Sequence, residues 1–391
     1  MQETNLSPNI LYVFGGEKAQ GAEIVIERLM SQNAAKVNMH LILSPGKFAD
    51  DLLSSGKPYK ISMLSDLKKL NRTSTGRLQY FVKGMVNYVT VSFRVNRYIL
   101  ANNINMVHAN TMVPASYLLP LIIYYRVLGM PVKWYWSDHD LKYFSKLDIK
   151  LSNMCARFYD RTLVVSEAVK RKYKGISDKV IVLYNGLDTA CFKPEVALRN
   201  VFRNKWKLPE NVIVLGIAAS INPDKGHLEL IQVFNKISLT YPSIKLMLAG
   251  DFASHFPDYK IQIEQAMTGN KNIIYAGFMN NMAEFYNGCD IIVNNSNDYR
   301  SESLGTTIYE AMACEKIVVA SNTGGTPEII LDHTDGFLFE ADNTDDLYNK
   351  LSYAVENYTS LDHVRQAARR KVEEKFNILT MLKNYNAIIV N

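Results

Sequence analysis

The stretch from Asp290 to Ile330 constrains the fold more than any other part of the chain. Asp290 to Asn294 is a short apolar run with β-branched residues, which predicts a buried strand. Ser296 to Gly305 is polar and ends in glycine, a loop. Thr306 to Cys314 carries Ile308, Ala311 and Met312 at helical spacing, and Lys316 to Ala320 is a second buried strand closed by Asn322, Gly324 and Gly325. Strands and helices alternating at this length imply a parallel sheet. Such a sheet binds ligands in the crevice beyond the carboxyl ends of its strands.

Two carboxylates frame the predicted crevice, Glu302 in the loop and Glu310 in the helix. The N–H groups of Leu304, Gly305, Thr306 and Thr307 fall at the helix start. Unpaired donors and the helix dipole make that position attractive to phosphate. An acid on either side of a phosphate seat suits a nucleotide-sugar, whose hydroxyls donate to carboxylates. On local sequence alone, the pair reads equally well as an exposed loop acid and a helix-surface acid.

The wider pattern separates these readings. The E-x7-E spacing from Glu302 to Glu310, followed by AMA, VVAS and GGTPEII, resembles the retaining glycosyltransferases of family GT4. Val165-Ser166-Glu167 is similar to the V-S-E turn of that family, and Asn185-Gly186-Leu187-Asp188 with Phe192 to its N-G-x-D-x-x-x-F pattern. Lys225-Gly226 matches the end of G-R-L-x-x-x-K-G, but Ala219 and Ser220 stand where the family has Gly and Arg. Gly21-Ala22-Glu23 resembles the G-G-A-E turn with Gln20 in place of its first Gly, and Phe252 replaces a second Gly after Gly250-Asp251. The likeness is most specific from Leu215 to Phe339 and weaker from Ser44 to Asn105.

This resemblance implies an α/β chain of the GT-B fold, with two Rossmann-like, doubly wound parallel-sheet domains facing a cleft. The expected limits are 1–193 for an acceptor-binding domain, 194–210 for a linker and 211–365 for a nucleotide-sugar-binding domain. A helical segment, 366–391, is expected to return to the first domain. The implied activity is transfer of a hexosyl-type sugar, with retention, to a glycan or lipid-linked glycan acceptor in cell-surface polysaccharide or glycoconjugate synthesis. The donor would be a UDP- or GDP-sugar, with no metal or other cofactor. Lys225 and Arg300 are assigned to the diphosphate, with backbone donors from Leu304, Gly305, Thr306 and Thr307. Glu310 is assigned to the ribose, Glu302 and His139 to the transferred sugar, and Gly21 to close backbone approach. Two alternatives stay open. Asp138-His139-Asp140 contains the Asp-x-Asp spacing that binds a divalent ion in the other major glycosyltransferase fold. The altered Ser220 also admits a sugar-nucleotide epimerase or a non-catalytic partner protein.

Composition bounds the rest. A chain of 391 residues is too long for one ordinary core, so two domains are expected. Its four cysteines are far apart, which fits reduced thiols in a cytoplasm. The N-terminal MQETNLSPNILYVFGG lacks the basic n-region of a signal peptide. No run reaches the roughly 18 apolar residues of a membrane span. The nearest, Met112 to Tyr125, is interrupted by Pro114 and Pro120 and reads as a buried helix. Residues 1–195 hold 26 Lys+Arg against 15 Asp+Glu, or +11, and the remainder holds 18 against 23, or −5. No nucleic-acid-binding motif accompanies that excess. Between Lys68 and Leu100, however, Lys83, Arg94 and Arg97 alternate with Tyr80, Phe81, Tyr88, Phe93 and Tyr98. Such a surface either meets an anionic membrane from the cytoplasmic side or is an ordinary helix packed on the sheet.

Overall fold

The structure is a computed structural model that describes residues 8–34, 37–67, 77–141, 145–176, 178–299 and 302–390. The chain divides into two units, one running to Tyr184 and resuming at Met381, the other spanning Asn185–Thr380.

The first unit is built on seven strands, β1 (Asn9–Phe14), β2 (Asn38–Leu43), β3 (Lys60–Met63), β4 (Met106–Asn110), β5 (Lys133–Asp138), β6 (Arg161–Val164) and β7 (Val180–Val182). They pair in parallel in the order β3-β2-β1-β4-β5-β6-β7. β1 reads as a nearly continuous apolar run, and its Ile10 through Phe14 have no exposure at all. Strands of a parallel sheet carry this pattern because both faces are covered. The last helix, Ile378–Val390, places Tyr385 in this core. Its hydroxyl lies 2.9 Å from His108 Nδ1 and 3.2 Å from the Tyr12 hydroxyl.

The helix Arg77–Ala101 buries one row, Asn87, Val91, Val95 and Ile99. Its opposite side carries Val82, Met85, Val86, Val89 and Phe93, each more than half exposed. Positions three and four apart share a helix face, so these five form one outward stripe. The expected aromatics Tyr80 and Phe81, and the basic run before Arg77, lie outside the described side chains.

The second unit holds β8 (Val214–Ala218), β9 (Lys245–Ala249), β10 (Ile273–Gly277), β11 (Ile291–Asn294), β12 (Ile317–Ser321) and β13 (Phe337–Phe339), in the order β10-β9-β8-β11-β12-β13. The segment expected as a linker, 194–210, instead forms a helix, Val196–Lys205, within this unit. Its Phe202 and Arg203 are buried. Asp290, itself buried, accepts from Arg203 Nη2 at 2.6 Å, Arg199 Nη1 at 2.9 Å and the Val214 amide at 2.8 Å. A buried carboxylate is tolerable only when so paired, which fixes the helix to the start of the sheet. The other limits also move. The first unit ends at Tyr184, and the helix Asp362–Lys375 stays with the second.

Candidate functional site

Each sheet reverses its strand order once, between β1 and β4 and between β8 and β11. Ligand crevices of doubly wound sheets open at such points, beyond the strand carboxyl ends. The predicted residues fall at both.

In the second unit the loops after β8 and β11 meet because they leave neighbouring strands. Asn295 Nδ2 donates to the Gly226 carbonyl at 2.7 Å. Gly226 sits at φ +60, and a Cβ there would lie 2.4 Å from Asn295, so the turn after Lys225 requires glycine. Lys225 Nζ reaches Glu302 Oε1, and it lies 3.2 Å from Ser296 Oγ. Ser296 Oγ in turn donates to Glu302 Oε1 at 2.6 Å. The Glu302 backbone is held from behind. The Gly325 amide donates to its carbonyl at 2.8 Å, and Gly324, at φ +57, has no room for a Cβ. The Glu302 side chain is 17% exposed and that of Lys225 28%. Burial pushes the Glu302 carboxyl up, but the Lys225 ammonium and the hydrogen bonds from Ser296 and Asn294 outweigh it and hold the group below its usual range.

The helix Thr306–Ala313 follows, capped by Gly305 without a side-chain bond. Its first-turn N–H groups, at Thr306 and Thr307, have no intrahelical partner by construction. Thr307 Oγ1 lies 3.4 Å from Asn294 Nδ2, which ties the helix start to the end of β11. Leu304 is buried, anchoring the loop. Glu310, one turn on, accepts from the Tyr286 hydroxyl at 2.9 Å. Ser220, where the family has Arg, is exposed. Arg300, its expected substitute, lies outside the described residues. A cavity of about 290 Å³ opens at the other end of this sheet, beside Val212, Asp290 and Tyr358, and is lined by none of the predicted residues.

In the first unit, Gly21 opens the helix Gly21–Asn33, and Glu23 Oε2 accepts from the Gln20 amide at 3.1 Å. The Gln20 that alters the turn is thus the helix cap. A Cβ at Gly21 would meet nothing within 4 Å, so packing does not require glycine there. His139 follows β5, and its Nε2 lies 2.9 Å from Asn110 Oδ1 at the end of β4. Burial pushes the His139 imidazole down to about 4, partly opposed by Asp138. Asp138 is buried and bonded to Lys172 Nζ at 2.7 Å, to the Tyr173 hydroxyl and to the Asp140 amide at 3.1 Å. That carboxylate therefore ties the loop together. Among the described residues, no three His, Cys, Asp or Glu side chains converge on a point. Sequence reasoning missed Asn110, Asn295 and Ser296. Their one signal is position, since each is polar and stands at or just past a strand end.

Two Rossmann-like parallel-sheet domains, each with one switch point, are the parts of the GT-B architecture. Two family models match the chain: "Glycosyltransferase Family 4" over residues 21–190 and "Glycosyl transferases group 1" over 199–371. The chain belongs to the GT4-type glycosyltransferases. It is 32% identical over 161 residues, 39% of its length and 42% of the relative's, to a lipopolysaccharide 1,2-N-acetylglucosaminetransferase of Salmonella typhimurium. It is 24% identical over 241 residues to the Staphylococcus aureus capsular polysaccharide biosynthesis glycosyltransferase CapM, 58% of this chain and 60% of that one. The matches thus span about half the length of these curated relatives. Anabaena HepE in complex with UDP has the same fold, with a TM-score of 0.81 at 20% identity over 98% of this chain and 99% of that one. HepE is also known in complex with UDP-glucose.

Proposed function

We propose that this chain is a retaining glycosyltransferase that moves a hexose-type sugar from a UDP- or GDP-sugar to a glycan or lipid-linked glycan in cell-surface polysaccharide synthesis. The observation that carries the reading is the Lys225–Ser296–Glu302 cluster at the β8/β11 switch point. A cation poised between a hydroxyl and a carboxylate, near a helix start, suits a diphosphate that leaves with negative charge. Lys225 and the amides of Gly305, Thr306 and Thr307 hold the diphosphate, and Glu310 takes the ribose hydroxyls. Glu302 and His139 orient the sugar, and Gly21 lets backbone approach it. No bound metal is needed where Lys225 supplies the countercharge. The UDP complexes of HepE favour UDP as the nucleotide.

A thermal-shift screen of UDP-, GDP- and ADP-sugars tests the donor, because a ligand that binds only the folded state stabilises it as RT ln(1 + [L]/Kd). No shift with any of them sinks the reading. Product anomers read by NMR test retention. Incubation without acceptor tests the epimerase alternative, which requires epimer to form.

The acceptor reading extends to the cytoplasmic face of an anionic membrane. Among the described residues no helix is long and apolar enough to cross a membrane. The outward stripe Val82, Met85, Val86, Val89 and Phe93 has exposed Lys83, Arg94 and Arg97 beside it, with Arg94 also 3.6 Å from Asp66. Apolar residues dip into the headgroup boundary while each cation contributes about 1 kcal/mol near an anionic surface. Binding to phosphatidylserine vesicles should be strong at low salt, weaken as salt rises, and weaken again in the triple variant Lys83→Glu, Arg94→Glu, Arg97→Glu. Indifference to vesicles at low salt removes the membrane and favours a soluble acceptor.

A further inference from the structure

His139 enters the proposed reaction as a side chain beside the sugar, and Asn110 decides what that side chain offers. Asn110 ends β4 and His139 directly follows the neighbouring strand β5, with Asn110 Oδ1 2.9 Å from His139 Nε2. A carbonyl oxygen only accepts, so in this geometry Nε2 carries the proton. A neutral imidazole with Nε2–H has a bare lone pair on Nδ1. We infer that Asn110 is a positioning residue that fixes this tautomer, leaving His139 Nδ1 as a neutral acceptor for a sugar hydroxyl. The inference rests on the reading of His139 given above.

Three independent observations support it. Asn110 is 1% exposed and its Nδ2 has no hydrogen-bond partner. A buried amide nitrogen without a partner costs about 1–3 kcal/mol, which a purely structural Asn has no reason to carry. Thr111, the next residue, sits at φ 70 and ψ 172, a region almost confined to glycine. The Thr111 amide donates to the Ser137 carbonyl at 3.0 Å, so the strained link is pinned to β5 just before Asp138 and His139. Strain persists where surroundings over-determine it, and here it holds the Asn110–His139 pair in register.

The charged and titratable neighbours agree. Asp138 is tied to Lys172 and Tyr173. His108 has both ring nitrogens bonded, to Tyr385 and to Ser137 at 2.8 Å, and burial keeps it uncharged. Neither delivers a proton to His139. The site therefore accepts a hydrogen bond from a sugar hydroxyl without adding positive charge next to the sugar.

The test is long-range 1H–15N correlation on 15N-histidine protein near pH 7.5, with His139→Gln assigning its signal among seven histidines. The Nε2–H pattern supports the inference, and the Nδ1–H pattern overturns it. Asn110→Leu should replace the single tautomer by a mixture, and Asn110→Asp should convert His139 to imidazolium. An unchanged His139 signal in a folded Asn110→Leu protein also overturns it. With transferase activity in hand, Asn110→Leu should lower kcat by up to about 100-fold with UDP affinity unchanged. If the tautomer follows Asn110 but kcat does not, the tautomer assignment stands and the placing of His139 beside the sugar falls.

Discussion

The two switch points share a topology and differ in chemistry. At β1/β4 the groups on offer are neutral. His139 and His108 are both held uncharged by burial, and the Asp138 carboxylate is bound by Lys172. At β8/β11 the groups are charged, with the Lys225 ammonium and the Glu302 carboxylate sharing Ser296. The backbone differs as well. Gly226, Gly250 and Gly324 supply positive φ around the second site, while the first uses a strained threonine. The same sheet order thus places polar loops at both points, and the loops decide their chemistry. A diphosphate needs a cation and free amides. A sugar hydroxyl can also be met by a neutral acceptor such as an uncharged imidazole.

The largest effect should come from breaking the charged site. Lys225→Ala removes the cation and leaves Glu302, a largely buried carboxylate, without its ion partner. UDP affinity, measured by calorimetry, should fall by roughly tenfold to hundredfold, the worth of a charge-assisted hydrogen bond of about 1.5–3 kcal/mol. An unchanged Kd in the folded variant would mean that the two switch points do not differ as described.

The next two carboxylates sharpen the contrast within the second unit. Glu310→Ala should weaken both UDP and UDP-sugar by about tenfold if Glu310 is the ribose acceptor proposed above. Glu302→Gln should leave UDP binding no weaker, because it removes an anion beside the phosphate seat, while turnover falls. Equal losses of UDP affinity in both variants would place Glu302 on the nucleotide. Tyr286→Phe serves as the control for Glu310, whose hydrogen bond from that phenol is otherwise the local structural role.

The core was legible because it announces itself in residue type. Runs such as NILYVF and KIVVA have nothing to do but form buried strands, and their observed limits, Asn9–Phe14 and Ile317–Ser321, shift by a residue or less. Lys225, Glu302 and Glu310 were singled out by likeness to the family's K-G and E-x7-E patterns, and the structure brings the first two together. The helix Val196–Lys205 was hidden because its stability comes from Asp290, nearly ninety positions away, and prolines at 194 and 209 suggested a linker. Lys60–Met63 was missed because it is an edge strand with no fully buried residue. Asn110, Asn295 and Ser296 escaped for a different reason. Their roles depend on which strands are neighbours, and local sequence does not state strand order.

The smallest effect concerns the neutrality of the first site. His139 has a folded-state pKa near 4, below the ordinary value of 6.5, because burial disfavours its charged form more than Asp138 favours it. A depressed pKa means the unfolded chain binds the proton first. The stability that His139 contributes is therefore fully present above about pH 6.5 and is lost as pH falls from there toward 4. His227 in the second unit, pushed down to about 3 by burial with a minor contribution from Lys225, loses stability over the same window, so wild-type acid sensitivity alone says nothing about either site. The variant difference does. His139→Gln cannot take up a proton, so its unfolding free energy should fall less steeply than wild type between pH 7.5 and 6, with a gap of about 1 kcal/mol at pH 6. The Lys225–Glu302 pair should not contribute to that gap, because a carboxyl held below its ordinary value of 4.5 loses its stabilisation only under more acid conditions. Parallel pH profiles for wild type and His139→Gln, measured by chemical denaturation, would mean that His139 takes up its proton in the folded chain as readily as in the unfolded one. Burial would then not hold the imidazole uncharged, and the contrast between the two switch points would fail.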